Sequence, residues 1–236
     1  MSAAPGAGDA PYARETARSR YGTHRMLAAR VRDGERVLDV GAGEGAFAEE
    51  LHKRGCKVVA LEVDPARAEA SRKRGLEVAV KNMEHADLTD LGTFDVIVCA
   101  DVLEHLTDPA AALERLKGIL APGGRILASI PNVAHYGVRL RLLAGRFEYT
   151  ETGILDRTHL RFFTRVTAKR LFEDAGFRVT HESITVAPPT SGSPGLVRRW
   201  ERMLERKRAG HAVHRAMSVL PGFFGSQIII EAELRK

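Results

Sequence analysis

Residues 37–47 read VLDVGAGEGAF, an apolar run that passes directly into a glycine-rich segment. The Val and Leu residues of the first half are typical of a strand. Gly41, Gly43 and Gly45 then follow within five residues, and glycine accepts positive φ angles and lets a ligand approach the backbone closely. The stretch therefore predicts a strand, a tight turn and a helix. In open α/β sheets, ligands bind at this carboxyl end of the strands.

The alternation of strand and helix continues along the chain. Further strands are predicted at residues 57–63, 77–80, 94–100 and 125–130. Asp64-Pro65 and Asp108-Pro109 are suitable N-cap and N1 pairs for two of the intervening helices, and we expect residues 122–124, Pro-Gly-Gly, to close the second. Near-continuous apolar strands fit burial on both faces, so we predict an α/β fold with a parallel sheet.

The rhythm breaks after residue 131. Residues 132–164 have no clean period and are rich in His, Tyr, Arg and Asp, so we interpret them as an acceptor-binding or cap segment. A helix at 164–176, strands at 177–186 and 227–234, and an inserted basic helix at 195–218 complete a domain over residues 13–236. A helix at 14–31 precedes the first strand, and residues 1–12 predict a disordered tail.

Composition limits the class of protein. The 236 residues carry a net charge of +6, and no apolar run reaches the ~20 residues that cross a bilayer. We find no secretory signal, and Cys56 and Cys99 indicate buried free thiols, so we expect a cytoplasmic protein without membrane contact.

The basic charge is concentrated locally. Residues 196–217 hold seven Arg or Lys against two Glu. We favour a solvated helix face, with a docking surface or a homodimer contact as the alternatives. Without interleaved aromatic residues or a recognised RNA-binding module, we do not expect a nucleic-acid partner.

Motifs along most of the chain resemble the class I S-adenosylmethionine (SAM) dependent methyltransferases. The similar segments are VLDVGAGEG (37–45), LEVDP (61–65), FDVIVCADVLEHLTDP (94–109), LAPGGRILASIPN (120–132) and PGFFGSQIIIEAEL (221–234). The segments IPN and THLRFFT (158–164) more loosely resemble the methionine-biosynthesis W proteins and small-molecule or sugar methyltransferases. The resemblance implies a Rossmann-like, seven-stranded, mostly parallel sheet with an antiparallel last strand, helices on both faces and a small cap insertion.

The resemblance also implies a SAM site and S-adenosylhomocysteine (SAH) as the product. Glu62 is the expected ribose ligand. An Asp often follows the third strand in the family, whereas this chain has Lys-Asn-Met-Glu at 81–84; Asn82 can still accept a hydrogen bond, and Met83 fits either the adenine ring or the core. The expected cofactor-binding residues are Asp39, Gly41, Ala42, Gly43, Gly45, Glu62, Val63, Asn82, Met83, Ala100, Asp101, Val102 and His105.

We expect methyl transfer to a hydroxyl, carboxylate or amine of a small polar metabolite, sugar-containing intermediates among them. A hydroxyl acceptor needs a general base, and His135 and His159 are the candidates, each equally well explained as a structural histidine. Asp156 could orient a histidine or pair with an arginine. Asn132, Tyr136 and Arg161 are candidate acceptor-binding residues.

No metal site is predicted. Asp101, Glu104 and His105 are close in sequence, but the family motif accounts for them, and the chain has no Cys-x-x-Cys or His-Glu-x-x-His stretch.

Two alternatives remain open from the sequence. Gly41, Gly43 and Ala46 also satisfy the loose dinucleotide pattern, which allows an NAD(P)-dependent oxidoreductase. The chain could also be a non-catalytic partner subunit that retains the SAM site.

Overall fold

A computed structural model describes residues 22–185 and 219–235. Seven strands form one sheet in the order β3-β2-β1-β4-β5-β7-β6. Strand β7 is antiparallel to its neighbours β5 and β6, and the other pairs are parallel. The predicted Rossmann-like fold is confirmed. The strands are β1 (Arg36–Val40), β2 (Lys57–Glu62), β3 (Glu77–Val80), β4 (Phe94–Ala100), β5 (Leu120–Pro131), β6 (Phe177–Thr185) and β7 (Gln227–Leu234).

Helices cover both faces of the sheet. The described helices are α1 (Thr23–Ala28), α2 (Ala46–Lys53), α3 (Pro65–Lys73), α4 (Pro109–Lys117), α5 (Tyr136–Leu143), α6 (Arg165–Asp174) and the single turn α7 (Pro221–Phe224). Two short 3-10 helices, Thr89–Leu91 and Leu103–His105, flank β4. None of the helices within 22–185 and 219–235 combines the length and apolar character needed to cross a membrane.

The core has two halves because successive strand residues point to opposite faces. In β4, Ile97 and Cys99 pack in the half that contains α4 and α6, whereas Val96 and Val98 pack in the half that contains α1 and α2. The central strands are therefore buried on both sides, as the continuous apolar sequence predicts.

Local sequence explains where the helices begin. Asp64 Oδ1 accepts a hydrogen bond from Ala66 N at 2.8 Å, and Asp108 Oδ1 accepts from Ala110 N at 3.1 Å, so both predicted caps are confirmed. Thr164 caps α6 in a capping box.

One prediction about the elements is wrong, and one helix was not predicted. Residues 122–124 do not close α4, which ends at Lys117; they lie inside β5, because Leu120 already pairs with Phe94 before the register shifts. Residues 132–164 do contain a helix, α5. The sequence hides it because Leu140, Leu142 and Leu143 are exposed, so no apolar face marks its period.

The structure describes Cys56 and Cys99 as buried free thiols, as expected. The predicted tail (1–12), the basic helix (195–218) and residues 14–21 of the helix predicted at 14–31 lie outside the described residues, whereas the rest of that last helix contains α1.

Candidate active site

The parallel strands bring the glycine turn to the carboxyl edge of the sheet. Gly41 N and Ala42 N donate to Leu61 O at 2.8 and 3.1 Å, which fixes the turn against the end of β2. Gly41, Gly43 and Gly45 have φ angles of +68°, +57° and +80°. These left-handed conformations are readily available only to glycine, so the backbone itself requires the motif.

The three glycines differ in what surrounds them. A Cβ on Gly41 would lie 2.9 Å from Val102, and one on Gly45 would lie 2.7 Å from Ser71 Oγ. A Cβ on Gly43 would meet nothing within 4 Å. Gly41 and Gly45 are therefore required for packing, whereas Gly43 faces the open side of the turn.

Glu62 lies at the end of β2 and is only 4% exposed. Its Oε2 accepts from Gly43 N at 2.7 Å, and its Oε1 accepts from Val63 N and Asp64 N at 2.8 and 2.9 Å. An ionised carboxylate has about four acceptor positions, so one remains for a further donor. Glu62 thus joins the glycine turn to β2.

Asp39 precedes the turn and is buried at 3% exposure. Its Oδ2 has no hydrogen-bond partner. Burial, assisted by the negative charge of Glu62, raises the pKa of Asp39 to about 7. A buried carboxyl oxygen without a partner costs free energy, so this position is not optimised for stability alone.

The ends of β3 and β4 carry the remaining predicted cofactor residues. Asn82 is exposed and its Oδ1 accepts from Glu84 N at 2.8 Å, whereas Met83 is buried in the core cluster. Val63 is exposed, and Ala100 and Val102 are partly buried. The adenine role of Asn82 and Met83 stays a prediction.

Asp101 follows β4 in a left-handed conformation with φ +54°, and no other non-glycine residue in 22–185 and 219–235 has a positive φ. Ser129 Oγ donates to Asp101 Oδ1 at 2.8 Å. Burial raises the pKa of Asp101 to about 6, while hydrogen bonds from Ser129 and Gln227 act in the opposite direction. Such strain at a strand end is often found at functional sites.

Glu104 is the most isolated polar group at this edge. It is 1% exposed, and neither carboxylate oxygen has a hydrogen-bond partner among the residues that the structure describes. Burial, with added repulsion from Asp101 and Asp156, raises its pKa well above the usual range. Its backbone carbonyl accepts from Leu160 N and Arg161 N, which attaches the cap segment to the sheet.

His105 and His159 meet beside Glu104. Their ring centroids are 4.8 Å apart in an edge-to-face arrangement. His105 Nδ1 lies 3.2 Å from Thr158 O, and His159 Nδ1 lies 3.1 Å from Ile154 O. Because a carbonyl can only accept, both Nδ1 atoms carry the proton and both Nε2 atoms have a free lone pair. Burial lowers the pKa of both rings, which favours the neutral form.

Asp156 and Arg161 hold this cluster in place. Asp156 Oδ1 accepts from Thr158 Oγ1 at 2.7 Å, and that hydroxyl lies 3.1 Å from His105 Nδ1. Asp156 therefore orients a histidine through Thr158. Arg161 is exposed and its Nη2 donates to Thr107 O at 2.6 Å, so it fixes the cap to the loop after His105.

His135, Asn132 and Tyr136 form a separate group at the end of β5. His135 Nδ1 accepts from Gly137 N at 3.2 Å as the N-cap of α5, and burial lowers its pKa to about 4. Asn132 Nδ2 donates to Gly225 O at 2.8 Å, and its Oδ1 accepts from Ala134 N. Tyr136 stacks on Phe223.

The structure therefore brings together His159, Asp156 and His105, but not His135. Sequence reasoning missed Glu104 and Thr158 as members of this cluster. Glu104 stood within the quoted ADVLEHL motif, and its adjacency to His105 was the available signal. Nothing in the sequence indicated that the segment near residue 158 folds back onto it.

The open edge fits SAM. The cofactor combines an amino acid, a ribose and a sulfonium, and this edge offers an unobstructed glycine turn, a ribose-compatible carboxylate at Glu62, and the unpartnered Asp39 oxygen behind the turn. Gly43 leaves space that a side chain would fill.

A seven-stranded sheet with an antiparallel β7 and a glycine turn at the β1 edge defines a class I SAM-dependent methyltransferase. The chain belongs to the methyltransferase domain family, whose pattern matches residues 12–182. Its cofactor is SAM, and the family assignment decides against an NAD(P)-dependent oxidoreductase.

Known proteins support this assignment. The ubiquinone biosynthesis O-methyltransferase of Xanthomonas oryzae is 34% identical over 105 residues, which cover 42% of this chain and 44% of that protein. The chain thus matches less than half the length of this curated relative.

Two solved structures share the fold. A SAM-dependent methyltransferase from Thermotoga maritima has a TM-score of 0.63 at 20% identity, covering 95% of this chain and 94% of its own. The N-methyltransferase NodS from Bradyrhizobium japonicum, solved with SAH, has a TM-score of 0.57 at 17% identity, covering 97% and 90%. At these identities the likeness concerns the fold alone.

Proposed function

We propose that the chain transfers the methyl group of SAM to a hydroxyl oxygen of a small molecule with an aromatic or apolar body. The observation that carries the proposal is the juxtaposition of Glu104, His105 and His159 at the end of β4, beyond the glycine turn. A hydroxyl must lose its proton as the new bond forms, and this cluster contains two neutral imidazoles with free Nε2 lone pairs. Carboxylate and amine acceptors need no such base.

The surroundings of His159 support an acceptor with an aromatic or apolar part. The Phe162 ring lies 6.2 Å from His159 and 5.8 Å from Phe147, which in turn packs edge-to-face on Tyr149 at 5.7 Å. Phe147 and Tyr149 are exposed. Aromatic side chains around a few polar groups are typical of small-molecule sites. The O-methyltransferase named among the relatives points to the same chemistry.

Residues 132–164 are the proposed cap over this site. The backbone bonds from Leu160 and Arg161 to Glu104 O seat the cap on the sheet, and the Arg161 side chain adds a second anchor at Thr107 O. In this position the cap would exclude water and hold the acceptor. Alignment of this kind can supply ~7–11 kcal/mol of the acceleration.

Different residues would bind the parts of SAM and accept the proton of the acceptor. The backbone at Gly41–Gly45 would hold the aminoacyl half, and Glu62 would bind the ribose through its remaining acceptor position. When bound, SAM supplies an electrophilic methyl on a sulfonium. His159 Nε2 would receive the acceptor's proton while Ile154 O keeps its ring oriented. The acceptor oxygen would take the methyl group, and the sulfonium sulfur would leave as the uncharged thioether of SAH.

His135 is the weaker of the two proposed bases. Its Nδ1 accepts the Gly137 N–H, so its neutral form carries the proton on Nε2 and has no free lone pair there. Asn132 uses its side-chain amide on backbone atoms, and Tyr136 remains a proposed acceptor contact. We therefore place the base function on His159.

An acceptor panel tests the proposal. Purified protein would be incubated with SAM and a phenol, a catechol, a sugar or an amine of similar size, with SAH formation as the readout. We expect turnover with the aromatic hydroxyl compounds. Exclusive methylation of the amine, with SAH binding intact, would contradict the proposed acceptor class.

A matched pair of variants tests the base. His159→Ala should lower turnover by about 10²–10⁴-fold, the usual contribution of general base catalysis, while SAH binding stays within a factor of a few. His52→Ala, which removes an exposed histidine on α2, should leave both unchanged. Equal turnover in the two variants would remove His159 from the role.

A further inference from the structure

We propose that Glu104, His105 and His159 form a binding site for one divalent transition-metal ion. One donor atom from each of the three residues lies within 4.8 Å of the other two. Two imidazoles and a carboxylate suit Zn²⁺, Mn²⁺, Fe²⁺ or Co²⁺ better than Ca²⁺ or Mg²⁺, which prefer oxygen donors.

The orientation of the two histidines supports the site. A metal-binding histidine usually donates its second ring N–H to a carbonyl or carboxylate, which fixes the tautomer and directs the other nitrogen at the metal. His105 and His159 both have this arrangement, with Nδ1 at Thr158 O and Ile154 O respectively. Thr158 Oγ1 and Asp156 extend the support behind His105.

Glu104 provides the independent observation. Both of its oxygens are buried and lack any partner, although the residue is only 1% exposed. Buried carboxylates are expected to be paired, hydrogen-bonded or coordinated to a metal. Within residues 22–185 and 219–235 no Lys or Arg pairs with Glu104, so a cation between Glu104 and the two imidazoles would satisfy a carboxylate that these residues leave without a partner.

The spacing requires only a modest contraction. Metal–ligand bonds of ~2.0–2.2 Å place tetrahedral ligand atoms about 3.4 Å apart, so donors that now lie within 4.8 Å of one another would move together by up to about 1.4 Å. Three protein ligands leave at least one coordination position open. That pattern is typical of catalytic rather than structural sites.

The role of the ion rests on the proposed function, whereas metal binding itself does not. An acceptor hydroxyl in the open position would bind as the oxyanion, because a metal ion lowers the pKa of a coordinated hydroxyl. Its proton would leave to solvent, and the methyl would pass from the sulfonium to the metal-bound oxygen. The ion would then replace His159 as the group that ionises the acceptor, because the Nε2 lone pair of His159 would bind the metal.

Direct metal titration tests the site. Tag-free protein would be stripped with a chelator and titrated with Co²⁺, with its visible absorption and the binding heat of Zn²⁺ as readouts. We expect one ion per chain with a micromolar or tighter dissociation constant. His159→Asn and Glu104→Gln should each weaken binding more than tenfold, whereas His52→Asn should bind like the parent protein.

Two further measurements distinguish the loss of a metal ligand from the loss of the folded structure. The unfolding temperature of each metal-free variant shows whether it is folded, and Thr158→Val, which removes only the hydroxyl behind His105, should weaken binding severalfold in a folded protein. No Co²⁺ spectrum in the parent protein, or an unchanged spectrum in folded His159→Asn, would overturn the proposal.

Activity separates this inference from the proposed function. Chelator treatment should remove aromatic-hydroxyl methylation, and added Zn²⁺ or Mn²⁺ should restore it. Full turnover in metal-free protein would overturn the role of the ion and leave O-methylation intact. Absence of turnover in metal-loaded protein that binds SAH would instead contradict the proposed acceptor class.

Discussion

Buried charged groups differ between the two ends of the parallel strands. They are paired at the amino-terminal ends (the amino edge), whereas some are unpaired at the carboxyl-terminal ends (the carboxyl edge). At the amino edge, Arg125 donates to both oxygens of Glu35 at 2.9 Å and to Arg30 O at 2.6 Å, and Arg30 pairs with Glu231 at 2.6 Å. At the carboxyl edge, one oxygen of Asp39 and both oxygens of Glu104 have no partner.

This difference indicates that the amino edge stabilises the fold, whereas the carboxyl edge is the candidate binding site. The amino edge joins α1, β5 and β7 through satisfied ions, so removing one member leaves another buried and uncompensated. At the carboxyl edge, three carboxyl oxygens have no partner among the described residues, which costs stability. Substitutions at the two edges should therefore change stability with opposite signs.

The largest expected effect is at the amino edge. Arg125→Met should lower the free energy of unfolding by roughly 3–5 kcal/mol, because Glu35 is left without its partner in a partly buried position. Urea unfolding measures the change. Arg115→Met, an exposed arginine on α4, should lie within ~0.5 kcal/mol of the parent protein. An equal loss of unfolding free energy in Arg125→Met and Arg115→Met would contradict a stabilising role for the amino edge.

The pH dependence of stability should show the next largest effect. The folded pKa of Asp39, about 7, exceeds the ordinary value of 3.8, so ionisation destabilises the fold as pH rises between these values. Asp39→Asn removes that penalty. Its stability relative to the parent protein should rise by up to about 4 kcal/mol from pH 4 to pH 8, at 1.36 kcal/mol per pKa unit.

Glu35 is the matched opposite case. Burial raises its pKa, but the hydrogen bond and charge of Arg125 outweigh burial and lower it below 4.5. Glu35 therefore contributes stability above its unfolded pKa that is lost as pH falls through the folded pKa. Glu35→Gln should cost more at pH 7 than at pH 4. If the stabilities of Asp39→Asn and Glu35→Gln relative to the parent protein changed with pH in the same direction, the contrast between the two edges would be contradicted.

The smallest expected change in the free energy of unfolding is at Glu104. It tests whether this buried carboxylate at the carboxyl edge contributes to activity at a cost in stability. In metal-free buffer, Glu104→Met should leave the free energy of unfolding unchanged or raise it by up to ~2 kcal/mol, because an apolar side chain replaces an unpartnered buried carboxyl. In metal-supplemented buffer, the turnover of Glu104→Met should fall to background. A loss of more than ~2 kcal/mol would show that Glu104 stabilises the fold.

The sequence predicted the local elements of the fold and the position of the glycine turn well. Strand β1, the glycine turn and the Asp64 and Asp108 caps follow from local chemistry, which short motifs record directly. The acceptor side could not be predicted in the same way. His105 and His159 meet only because backbone bonds from Leu160 and Arg161 bring the cap to Glu104, and no local pattern encodes that contact. Helix α5 was hidden for a related reason, since its leucines are exposed.

The central claim is that the glycine turn at the carboxyl edge holds SAM, and calorimetric titration with SAH tests it most directly. Gly43→Arg would place a side chain on the open face of the turn, and Gly123→Arg is the matched control. Gly123 has a similar positive φ of +75°, equal free space and a position at the amino edge. Parent protein and Gly123→Arg should bind SAH with micromolar affinity, and Gly43→Arg should give no heat. Undiminished binding by folded Gly43→Arg, or no binding by the parent protein, would contradict the account.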